Sequence, residues 1–72
     1  MPRGGAVEVI VNGEARRLPE GMTVAQLLED MALTAKRLAV EVNLEIVPRS
    51  TYAAHRLRAG DRVEIVHAIG GG

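Results

Sequence analysis

The chain has no cysteine, no phenylalanine and no tryptophan. Without a thiol there is no disulfide framework, no cysteine-bound metal and no side-chain thiol chemistry, a composition that fits a reducing, cytoplasmic setting. Tyr52 is the sole aromatic residue, so the core must be built from Val, Leu, Ile, Met and Ala. Neither sign of charge is in surplus: nine Lys and Arg stand against nine Asp and Glu. That balance removes the positive field by which proteins hold nucleic acid through its phosphates. No apolar run approaches the roughly 20 residues that span a bilayer. Met1-Pro2-Arg3-Gly4-Gly5 lacks an apolar signal region, so neither export nor membrane insertion is expected.

What remains is 72 residues, 47% of them hydrophobic, enough for one domain over 1–72 with flexible ends at 1–5 and 68–72. A chain of this size buries only about 60% of the surface its unfolded form exposes, so its local signals must agree with one another. Residues 6–11 are largely β-branched and alternate, and Asn12-Gly13 after them is a strong hairpin signal. The second strand covers about 14–18, has the polar character of a sheet edge, and stops at Pro19-Glu20-Gly21. Thr23 and Gln26 have the spacing of a capping box, and Val24, Leu27, Leu28 and Met31 form one apolar stripe on the helix that follows. Alternation returns at 39–43. Asn43-Leu44-Glu45 then reads as a turn into a short strand, Ile46-Val47, stopped by Pro48. One loose helical turn is expected over 50–54, and Ala59-Gly60-Asp61 is a turn into a last strand at 62–67.

The order ββαββ-β predicts an α+β layer pair, with one helix across one face of a mixed sheet of about five strands. The first and last strands are the most apolar and belong in the centre, which leaves polar strands at the edges. The C-terminal segment Ala68, Ile69, Gly70, Gly71, Gly72 then leaves from a central element. Three glycines in a row can pass through a channel too narrow for a Cβ. Fully extended, the five residues reach roughly 17 Å.

The residue set also limits what the chain does by itself. His55 and His67 lack the companion ligands of a metal site, so no metal is assigned. Thr23, Thr34, Ser50 and Thr51 have no base-like neighbour in sequence, and caps or turns account for Thr23 and Ser50 better than nucleophilic attack does. The glycines at the end are not followed by the Lys-Ser or Lys-Thr of a phosphate loop, so ATP is not expected to bind here. On the last strand Val63, Ile65 and His67 should face the helix, while Arg62, Glu64 and Val66 face outward. Ile10 is outward on the first strand and would lie beside Val66 if the two strands were neighbours. Ile10, Arg62, Glu64 and Val66 are therefore the candidate partner-docking patch.

Taken together, this strand order, the Asn12-Gly13 hairpin, Ile46-Val47-Pro48-Arg49-Ser50, Gly60-Asp61-Arg62-Val63-Glu64-Ile65-Val66 and the Gly71-Gly72 end resemble the ThiS family of sulfur carriers of thiamine biosynthesis. The likeness covers nearly the whole chain. It implies the β-grasp, ubiquitin-like fold. It also implies that the Gly72 carboxylate is adenylated and converted to a thiocarboxylate, with Ala68, Ile69, Gly70 and Gly71 threading the partner's active site. The chain would then be a co-substrate and not an enzyme, with no bound cofactor and with ATP consumed by the partner. The partners implied are an adenylating enzyme of the ubiquitin-activating type (ThiF-like), a thiazole synthase (ThiG-like) and a sulfur donor such as a cysteine desulfurase, with no nucleic acid and no membrane. Two features depart from the family pattern: a glycine is expected where Leu44 stands, and residues 1–5 match nothing familiar. The alternatives are a molybdopterin synthase small subunit-like sulfur carrier, a ubiquitin-like protein modifier and an inert binding module.

Overall fold

The computed structural model describes residues 5–33 and 37–67. The strands are β1 (Ala6–Val11), β2 (Glu14–Pro19), β3 (Leu38–Val42), β4 (Glu45–Ile46) and β5 (Arg62–His67), with helix α1 (Val24–Asp30) between β2 and β3. A single 3-10 turn, Arg49–Thr51, lies in the connection from β4 to β5; it begins one residue before the expected stretch 50–54 and overlaps it only at Ser50 and Thr51. Of the two ends expected to be flexible, only Gly5 is described, and its carbonyl accepts a hydrogen bond from the Glu20 amide at 3.1 Å.

The sheet runs β2-β1-β5-β3-β4, so the last strand is central, the polar strand β2 lies at one edge and the two-residue β4, with an exposed Ile46, lies at the other. β1 and β2 are antiparallel, β5 is antiparallel to β3, and β1 and β5 run parallel, which makes the sheet mixed. Alternation puts Val9 and Val11 of β1, Val40 and Val42 of β3, and Val63 and Ile65 of β5 on the buried face. Across them lies α1, whose Val24, Leu27 and Leu28 are buried with them. Tyr52 packs at the margin of this aliphatic core. Val47 is not part of β4, yet it is buried and its amide reaches the Val40 carbonyl at 2.9 Å, so the chain stays pinned to β3 after the strand ends.

The helix is short and its ends are closed by local chemistry. Gln26 donates its backbone amide to Thr23 Oγ1 at 3.1 Å, and the Thr23 amide donates to Gln26 Oε1 at 3.0 Å, completing the capping box. At the other end Ala32 takes a left-handed backbone, φ 60°. Leu33 N then reaches Leu28 O at 2.7 Å and Ala32 N reaches Glu29 O at 2.9 Å, the bond pair of a Schellman motif. No helix among the described residues is long and apolar enough to cross a membrane.

Candidate functional site: the outer face of the sheet and the end of β5

β5 is held from both sides by asparagine side chains as well as by backbone. Asn12, just past β1, donates its amide to Val63 O at 2.9 Å and accepts the Ile65 amide on Oδ1 at 2.8 Å. Asn43, just past β3, donates its amide to Arg62 O at 2.8 Å and accepts the Arg62 amide on Oδ1 at 3.0 Å. Both asparagines have positive φ, 51° and 54°, and each is the first residue of a two-residue hairpin turn. The same geometry that turns the hairpin thus points a side-chain amide at the central strand. Asp61 completes the clasp, since its carboxylate accepts from Asn43 Nδ2 at 3.0 Å and from the Arg58 amide at 2.9 Å.

β5 remains in register with β3 to its last residue, where His67 stands opposite Leu38. Ala68, Ile69, Gly70, Gly71 and Gly72 lie outside the described residues; the chain reaches them from a paired central strand. His67 itself is exposed, whereas its alternation with Val63 and Ile65 predicts a helix-facing position. The reason is that β1 pairs with β5 only at Arg62 and Val63, so the end of β5 runs on beyond the β1–β2 hairpin.

Arg62, Glu64 and Val66 are exposed and Ile10 is half-buried. The parallel register, however, sets Ile10 opposite Arg62, not beside Val66. Four residues of strand, about 13 Å, separate Arg62 from Val66, so Ile10 and Val66 mark the two ends of the patch. The neighbour of Val66 is Ala39. Glu64 faces Glu41, a like-charge cross-strand pair, and Glu41 in turn faces Ile46 of β4. Ile46 (68% exposed) and Leu44 (81%) are more open than Val66 (54%), and sequence reasoning did not place either in a site. The signal for Leu44 was a leucine at a turn position that favours glycine.

The remaining polar residues have local duties. Thr23 caps α1, and Thr51 Oγ1 donates to Pro48 O at 2.8 Å within the 3-10 turn. Ser50 sits inside that turn and does not cap it, because the turn has no side-chain cap bond. Thr34 lies outside the described residues. The His55 carbonyl accepts the Val24 amide at 2.9 Å, which ties the loop to the start of α1. Among the described residues no three His, Cys, Asp or Glu side chains are grouped to hold a metal ion.

A mixed five-stranded sheet wrapped on one helix, with the chain leaving from the central strand, defines a β-grasp protein. The particular lineage follows from comparison: the chain belongs to the ThiS family, whose profile matches residues 9–72. The sulfur carrier protein ThiS of Escherichia coli is 32% identical over 66 residues, which cover 92% of this chain and all of that protein. A crystal structure of a thiamine biosynthesis protein (ThiS) from Geobacter metallireducens superposes with a TM-score of 0.81 at 30% identity, covering 92% of this chain and 100% of the other. A thiazole synthase of Paramagnetospirillum magneticum is 46% identical over 66 residues, 92% of this chain, but the chain spans only 20% of that protein's length.

Proposed function

We propose that this chain is a cytoplasmic sulfur carrier of thiamine biosynthesis, acting as a co-substrate of partner enzymes and binding no cofactor itself. Membership of the ThiS family is the observation that carries the reading. A carboxylate is a poor electrophile, so the Gly72 carboxylate must first be activated. In the adenylating (ThiF-like) enzyme it attacks the α-phosphorus of ATP, pyrophosphate leaves, and an acyl-adenylate forms. The terminal sulfur of a persulfide, filled by a donor such as a cysteine desulfurase, attacks the acyl carbon and displaces AMP. A thiol then cleaves the S–S bond, becoming part of a disulfide and releasing the thiocarboxylate. That soft nucleophile attacks an electrophilic carbon in the thiazole synthase (ThiG-like).

In this scheme Ala68, Ile69, Gly70 and Gly71 thread the partner's active site, and glycine suits a narrow passage. The outer-face residues Ile10, Arg62, Glu64 and Val66 dock the body, with the charges setting register and partner choice more than affinity. The thiamine acceptor is favoured over a molybdopterin synthase by the family match. The test is genetic: expression of the chain in Escherichia coli lacking its own ThiS should restore growth without thiamine, and the chain lacking Gly72 should not. Growth with both, or with neither, contradicts the reading.

A further inference from the structure

Both two-residue hairpins turn through left-handed backbone, and only one does so on glycine. At Asn12 and Gly13 φ is 51° and 85°; at Asn43 and Leu44 it is 54° and 70°. This is the pattern of a type I′ turn, whose second position suits glycine because an L side chain there is crowded. Asn43 is fixed by its bonds to Asp61 and to the Arg62 amide, so the backbone at 44 is imposed whatever residue occupies it. Leu44 is also 81% exposed, and Ile46, two residues on, is 68% exposed. The chain thus holds an apolar side chain in a disfavoured conformation and in water, where a glycine such as Gly13 would avoid both penalties. At that exposure Leu44 has little of the described chain to pack against, which points to a contact outside the chain.

The position of the tip narrows the partner. Asn43 lies beside Arg62 at the start of β5, whereas residues 68–72 follow its other end, about 17 Å away. Two side chains provide far less than the roughly 800 Å² per partner of a stable interface, so the tip does not hold a second copy of this chain. It can only add to a contact made mainly elsewhere, by a partner that also receives the tail. Of the two enzymes that would do so, thiazole synthase is favoured, because a thiazole synthase contains a stretch like this chain, one fifth of its length.

We propose that the β3–β4 hairpin tip, Leu44 with Ile46, seats in an apolar socket on the thiazole synthase and anchors the carrier at the end of β5 opposite His67. The choice of partner rests on the sulfur-carrier reading; the binding itself requires no sulfur. Calorimetric titration of the same organism's thiazole synthase with the full chain tests it. Leu44→Gly should melt higher than the unsubstituted chain, yet bind the synthase at least about tenfold more weakly. Its loading with sulfur by the adenylating enzyme should be unchanged. Ile46→Thr keeps a β-branched strand residue and should also bind more weakly. A stabilised Leu44→Gly chain that binds the synthase as tightly as the unsubstituted chain overturns the proposal, as does a lack of binding by the unsubstituted chain or loss of self-association alone. Weakened binding in a chain that never acquires sulfur supports the anchor and instead removes the sulfur-carrier reading.

Discussion

Asn12 shows how much one side chain settles here. β1 ends at Val11, and its neighbour β5 would lose its partner on that side at the same level. The Asn12 carboxamide supplies one more acceptor, for the part-buried Ile65 amide at 2.8 Å, so the parallel pairing gains a rung that backbone alone does not provide. Replacing Asn12 by Ala strands that amide and places a poorly suited residue at φ 51°. The variant should lose about 1–3 kcal/mol in urea unfolding. Asn12→Asp retains the oxygen and tolerates the left-handed backbone, and should lose clearly less. Equal losses in the two variants would mean that the bond to Ile65 is not the source of the effect. The hairpin at Asn12-Gly13 was legible from sequence because a turn is local. The rung was not, because its partner lies 53 residues away.

At the scale of elements, α1 and β5 were both readable, for different reasons. The helix announces itself by a capping box and an apolar stripe, and both appear as the spacing implies, with Met31 only partly buried at the end of the stripe. The last strand announces which residues face inward through its alternation. Alternation does not disclose which residue of a neighbouring strand stands opposite, since register depends on how the strands meet. For that reason Val66 was placed correctly on the open face, while Ile10 beside it was not. Of the residues proposed to dock on this face, Val66 has Ala39 and not Ile10 as a cross-strand neighbour. Val66→Asp should leave the melting temperature nearly unchanged, because the side chain is already 54% exposed. Its affinity for the adenylating enzyme should fall by about tenfold or more, as an apolar contact is replaced by a charge that must be desolvated. Unchanged affinity in a direct titration would remove Val66 from the interface.

For the molecule as a whole, the absences noted in the sequence explain the architecture. With no cysteine and one tyrosine, stability rests on aliphatic side chains from β1, β3, β5 and α1 meeting in a single layer. A β-grasp sheet suits such a chain, because β1, β5 and β3, whose alternating aliphatic residues are buried, lie side by side in the middle of the sheet under the helix. The fold class, the central position of β5 and the family were all legible in 72 residues. The exposed hairpin tip was only half legible: Leu44 stood out against the turn chemistry, but its exposure depends on how β4 lies at the sheet edge. Whether Gly72 carries the sulfur, as proposed, can be read by mass spectrometry. The chain is incubated with the adenylating enzyme, ATP and a sulfur donor, and the C-terminal fragment is then weighed. One sulfur in place of one oxygen is expected on the fragment that contains Gly72. An unaltered fragment, under conditions in which the same enzyme loads another ThiS protein, or sulfur found on any other fragment, would contradict it.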